Sequence, residues 1–92
     1  MIKIWLDDVR QAPDGYIHCH SVNETIDHLR NESVEELDLD HDLGIYAKDG
    51  GDAINLLDWC VEHRIYPRVK FHTANPVGKA NMQRLVERHW PF

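Results

Sequence analysis

The sequence lacks most of the features that would fix its chemistry in advance. Its two cysteines, Cys19 and Cys60, lie far apart and form no CxxC pair. That argues against a zinc site or a disulfide framework, and both are read as ordinary core thiols of a reducing compartment. No apolar run approaches the length of a membrane span, and the start "MIKIWLDD" has neither the basic head nor the small-residue cleavage site of a secretion signal. The expected setting is therefore the cytoplasm, with no membrane partner. Positive charge is scarce: ten Lys and Arg face sixteen Asp and Glu, a net charge of −6. This argues against broad electrostatic binding of duplex DNA. A small phosphate stays open, because a metal or a helix N-terminus can reverse the field locally. There is no internal repeat and no low-complexity tract. With 92 residues, the chain has room for one domain, 1–92, around a single core.

What the sequence does have is histidine and aspartate in unusual places. "IKIWL" (2–6) is a compact apolar run that stops at Asp7-Asp8, as a buried strand would. "YIHCH" (16–20) reads as a weaker strand, with Ile17 and Cys19 on one face. Ser21 and Glu24 then form a capping box that opens a helix over about 22–30, with Val22, Ile26 and Leu29 as its apolar stripe. "EELDLD" gives a third strand ending near Asp40. After a loop rich in turn formers, which includes Gly50-Gly51, Asp52 can cap a helix running to about His63. "RVKFHT" (68–73) is a fourth strand, and Asn75-Pro76 is an N-cap and N1 pair opening a last helix through about His89. The order β, β, α, β, α, β, α predicts an α/β domain with a mostly parallel sheet. Only about nine residues, Asp7–Gly15, join the first two strands. That is short for a crossover helix, so either an extended loop returns the chain to a parallel strand or the two form a wide antiparallel hairpin.

In open α/β sheets the ligand site lies beyond the carboxyl ends of the strands. Asp7-Asp8, Asp40-His41-Asp42 and His72-Thr73-Asn75 all fall there. Several carboxylates at one edge repel one another, so some are protonated or share a cation. Asp7, Asp8, Asp40 and Asp42 are the candidate ligands of a divalent metal, Mg²⁺ or Mn²⁺, and direct coordination by His41 or His72 would shift the preference to Mn²⁺ or another transition metal. Asp38 is read as pointing to solvent. His41 and His72 are the candidate proton movers. Thr73, Asn75 with the helix amides behind it, and Arg10 are candidate holders of phosphoryl oxygens. His18, His20, His28, His63 and His89 have no such company and are read as surface or packing residues.

The segments "IWLDDVRQAP", "LDHDLG", "GGDAINLLDW" and "HTANPVGKANM" together resemble the cyclic-phosphate processing receiver-like domains, a derivative of the response-regulator receiver fold. The resemblance implies a receiver-like (flavodoxin-like) three-layer α/β domain with a four-stranded sheet of order 2-1-3-4. The first helix is replaced by the loop "VRQAPDG", and the fifth strand with its lysine is absent. In a receiver, Asp7, Asp8 and Asp40 would bind Mg²⁺ and Asp40 would accept a phosphoryl group, with Thr73 near the hydroxyl position. His41 and His72 are additions that a phosphorylation switch does not use. The implied activity is a phosphodiesterase opening a cyclic phosphate, at an RNA end or on a nucleotide, with Asp40, His41 and His72 catalytic. The alternatives are a non-catalytic module that captures a cyclic nucleotide and an atypical receiver phosphorylated on Asp40. The apolar Val69 and Phe71 of the edge strand, with the terminal "HWPF", suggest a homodimer contact.

Overall fold

The computed structural model describes all 92 residues. Four strands, β1 (Ile2–Leu6), β2 (Ile17–Cys19), β3 (Val34–Leu39) and β4 (Arg68–Phe71), form one sheet in the order β2-β1-β3-β4. Every neighbouring pair is parallel. The question left by the short first connection is thereby settled: residues 7–16 carry the chain back as an extended loop, with Ile4 beside Ile17 and Leu6 beside Cys19. The helices are α1 (Val22–Asn31), α2 (Ala53–His63) and α3 (Pro76–His89). A 3₁₀ turn over Gly44–Lys48 occupies what the sequence presents as loop.

Both crossovers, β2-α1-β3 and β3-α2-β4, move the same way along the sheet. Right-handed connections then place α1 and α2 on the same face, and α3 packs beside α2. Strand alternation agrees: Ile4, Leu6, Cys19, Leu37 and Leu39 are fully buried and share one core with Val22, Leu29, Leu56, Leu57, Cys60, Met82 and Trp90. The three layers expected are thus corrected to two, a sheet and one helical layer. The physical reason is that the elements which would cover the second face are the ones replaced by the first loop or absent after β4. That second face carries Lys3, Trp5, Tyr16, His18, Glu36, Asp38, Arg68 and Lys70 by alternation.

Val69 and Phe71 turn inward and pack on the core, and Trp90 is buried with its Nε1 donating to the Pro67 carbonyl at 2.7 Å. Of the residues assigned to a second copy, Val69 and Phe71 are half-buried and Trp90 is buried, while His89, Pro91 and Phe92 stay exposed. The two cysteine thiols are buried, and burial pushes both up to about 12, consistent with core packing. No helix is long and apolar enough to cross a membrane.

Leu39 sits at the centre of this core, fully buried and one residue before the polar strand end. Leu39→Ala is expected to destabilise the fold by roughly 2–5 kcal/mol, read from the urea midpoint at unchanged slope.

Candidate active site at the carboxyl edge of the sheet

Backbone hydrogen bonds carry the sheet ladder one step past the strands and so fix the polar residues. Asp7 N–H donates to Cys19 O at 3.1 Å, Asp40 N–H to Leu6 O at 2.9 Å, and His72 N–H to Leu39 O at 3.0 Å. Asp7, Asp40 and His72 therefore stand side by side, as the sequence predicts for strand-end residues.

Asp7 is fully buried, and each of its carboxylate oxygens has a hydrogen-bond partner. Its Oδ1 accepts from the amides of Val9 and Arg10, each at 2.8 Å, and its Oδ2 lies 2.9 Å from His72 Nε2. Burial works to raise this carboxyl, but the two amides and the His72 ring outweigh it and hold Asp7 below the usual carboxylate range. The other ring nitrogen, His72 Nδ1, lies 2.8 Å from Asp38 Oδ1. Each of these contacts needs a proton between ring and carboxylate, since an ionised carboxylate only accepts. The His72 ring also stacks on Trp5, with centroids 3.6 Å apart and planes 4° from parallel. Trp5 Nε1 donates to Arg10 O at 3.1 Å, and Arg10 Nη1 donates to His72 O at 3.1 Å. The loop that replaces a helix is in this way strapped from β1 across to β4.

The solvent-facing reading of Asp38 is corrected here: its side chain is 15% exposed, under His72. Alternation in "LDLD" puts Asp38 and Asp40 on the helix-free side with Trp5, and a ring from the neighbouring strand end folds over it. His18 is corrected too, for its Nε2 lies 2.8 Å from the Asp7 carbonyl and its ring stacks on His20. The company of both residues comes from parallel pairing, which a single strand's sequence does not display.

The proposed ligands fall into two groups. Donor atoms of Asp7, Asp8 and Asp40 lie within 4.8 Å of one another, and so do those of His41, Asp42 and Asp52. Asp42, taken from sequence as a partner of the first group, stands in the second. Asp52, read as a helix cap, occupies the cap position but uses Oδ1 to accept from Leu43 N–H at 3.1 Å. In the first group, burial raises the Asp8 carboxyl and the charges of Asp7 and Asp40 raise it further. Gly44 leaves room for it, since a Cβ there would come within 2.6 Å of Asp8 Oδ2. Three mutually repelling carboxylates with oxygen donors are chemically suited to a hard divalent cation.

His41 Nδ1 lies 3.0 Å from Asp42 Oδ1, whose partner oxygen Oδ2 accepts from Asn75 Nδ2 at 3.0 Å. These bonds to His41 and Asn75 hold the Asp42 carboxyl below its ordinary range. Asn75 caps α3 through Oδ1, which accepts from Gly78 N–H at 3.0 Å, and Thr73 Oγ1 accepts from Asn75 N–H at 3.1 Å. The turn before α3 is thus built by Thr73 and Asn75 together. Gly78 is buried inside a helix, where alanine is ordinarily favoured. Its reason is space, for an added Cβ would lie 2.5 Å from His41 Cγ.

Two outcomes follow from this geometry. A carboxyl raised on folding stabilises below its unfolded pKa and loses that contribution as pH rises through the folded value, so at neutral pH Asp8 opposes folding. Asp8→Asn is expected to raise Tm by a few degrees in EDTA, and to lose any Tm increase that Mg²⁺ or Mn²⁺ gives the wild type. Gly78→Ala, which by helix propensity alone would stabilise by about 1 kcal/mol, should instead leave Tm level or lower and shift the His41 ring resonances.

A family model described as the cyclic-phosphate processing receiver domain matches residues 2–88. Searches of curated proteins and of solved structures returned no match. The matched span takes in all four strands and the whole carboxyl edge, and the chain belongs to the cyclic-phosphate processing receiver domain family.

Proposed function

We propose that this chain hydrolyses a cyclic phosphate at the carboxyl edge of its sheet. The observation that carries the reading is the pairing of His41 with Asp42 at 3.0 Å. An imidazole oriented through Nδ1 presents Nε2 for proton transfer, and the ring is 15% exposed at the mouth of α3. His41 then takes a proton from the attacking water as the water oxygen bonds to phosphorus, the P–O bond to one ribose oxygen breaks, and His41 returns the proton to that departing oxygen. His72 has a different task. With both ring nitrogens facing carboxylates it holds Asp7 and Asp38 in place, in contrast to the acid–base role that the sequence alone suggests. The Val77 amide, the one in the first turn of α3 without a partner, and Arg10 hold non-bridging oxygens.

Asp7, Asp8 and Asp40 would hold a divalent cation, Mg²⁺ or Mn²⁺. When bound it supplies polarisation of the phosphoryl oxygens and relief of the repulsion at Asp8. One observation favours a second reading, a module that captures a cyclic phosphate without turnover: of the two histidines at this edge, one is locked between carboxylates.

A panel of 2′,3′-cyclic mononucleotides, a cyclic-phosphate-ended RNA, 3′,5′-cyclic mononucleotides and cyclic dinucleotides, read by mass, tests the proposal. Turnover of at least one class is expected, abolished by EDTA and lowered on the order of 10²-fold or more in His41→Gln. Ligand recovered bound and intact would instead establish the capture module.

A further inference from the structure

We infer that the helix-free face of the sheet is a track for a short single strand of RNA, so that the substrate is an RNA end whose terminal cyclic phosphate sits at the carboxyl edge. The inference rests on the cyclic-phosphate reading and adds the polymer to it.

The face is bare because the chain spends all three helices on the other side. Its two central carboxylates are answered from within. Glu36 accepts from the Tyr16 hydroxyl and lies 3.5 Å from Lys70 Nζ, with its side chain 5% exposed. Asp38 lies under His72. Three cations stand on it: Lys70 is 56% exposed, Arg68 is exposed beside it, and Lys3 Nζ stands 5.7 Å from the Tyr16 ring centre, with the exposed Glu35 at the amino end. On a chain of net charge −6, three cations with Glu36 and Asp38 already paired make this face less acidic than the molecule as a whole, as contact with a phosphate backbone requires.

The same face offers π-surface. Trp5 and Tyr16 meet edge to face with centroids 6.3 Å apart, and since His72 covers one face of Trp5, Tyr16 and the other face of Trp5 are the surface on offer. Four strands spaced by about 4.8 Å give a platform roughly 14 Å wide. Four-stranded sheets bearing aromatic rings stack about two or three bases in RNA-binding domains, with little demand on base identity. Towards the amino ends of the strands the face opens into a cavity of about 370 Å³ whose lining includes Lys3, Glu36, Tyr66, Arg68 and Phe92, with Glu35 beside them. The track therefore runs from this cavity, over Tyr16 and Trp5, to the strap of Arg10 and the phosphate site beyond it.

The test is fluorescence anisotropy with a labelled oligouridylate of about eight nucleotides ending in a plain 3′-hydroxyl. Micromolar binding at low salt is expected, weakening as salt rises. Lys3→Gln and Arg68→Gln should each lower the salt slope by about 0.7. Tyr16→Leu should weaken binding at least about fivefold while Tyr16→Phe retains it. In parallel, Lys3→Gln and Arg68→Gln should lower turnover of cyclic-phosphate-ended RNA and leave a 2′,3′-cyclic mononucleotide unaffected. Absence of RNA binding overturns the track, as does binding indifferent to Lys3 and Arg68 or equal binding of duplex RNA, even if the mononucleotide is hydrolysed. A dimer in sedimentation that RNA does not dissociate would give the face to a second copy and overturn it likewise. RNA bound through Lys3 and Arg68 with no cyclic phosphate hydrolysed supports the track and removes the hydrolytic reading instead.

Discussion

The bridge Asp7–His72–Asp38 is the interaction on which the carboxyl edge depends. Past the last ladder bonds, the carboxyl edge of a parallel sheet is tied together by side chains, and here one imidazole links β1, β3 and β4. Asp7 continues β1, Asp38 lies within β3 and His72 continues β4. Removing the ring would leave a fully buried carboxylate with its Oδ2 unanswered, a loss typically far larger than that of a surface ion pair. The bridge also sets the first loop, because Arg10 bonds to the His72 carbonyl and Trp5 stacks on the ring. Asp8 is placed next to Asp7 by the same turn, and Asp40 is placed by the ladder bond to Leu6. The clustered aspartates are therefore held together by an arrangement that does not itself include all of them.

The second constraint is the absence of a helix between β1 and β2. A receiver covers both faces of its sheet; this chain covers one. The uncovered face must then be soluble without a helix, and it is made so by pairing its acids internally and leaving its bases outward. Loss of a structural element and gain of a charged, ring-bearing surface are two descriptions of one change. Asp40 gives Oδ1 to the amide of His41, and Thr73 gives its hydroxyl to the turn before α3.

Much of the fold was legible because the signals are local. Ser21, Asp52 and Asn75 mark three helix starts within a residue, and the compact apolar run "IKIWL" and the segment "EELDLD" mark the central strands. The parallel second strand was not legible, since a loop of this length permits either direction and only tertiary pairing chooses. The 3₁₀ turn escaped for a similar reason. Its end is tied to a distant element by Asp49, the residue after it, which accepts from Ser21 Oγ at the cap of α1 and from Asn23 Nδ2 within α1. At the site, position was readable and partnership was not. Strand ends place Asp7, Asp40 and His72 at one edge, but nothing local says that His72 reaches back to Asp38, or that Gly78 is glycine to admit the His41 ring. Two parts of the sequence that meet only in the folded chain carry no mutual mark in either one.

On the proposed function, the carboxyl edge, and not some other surface, takes the phosphate. The most direct measurement is the map of backbone and histidine NMR shifts on titration with a slowly hydrolysed 2′,3′-cyclic phosphorothioate nucleotide. Changes centred on Asp8, Asp40, His41, Thr73, Asn75 and Gly78 are the predicted result. Changes confined to the opposite edge, around Lys3, Tyr66, Arg68 and Phe92, would contradict it.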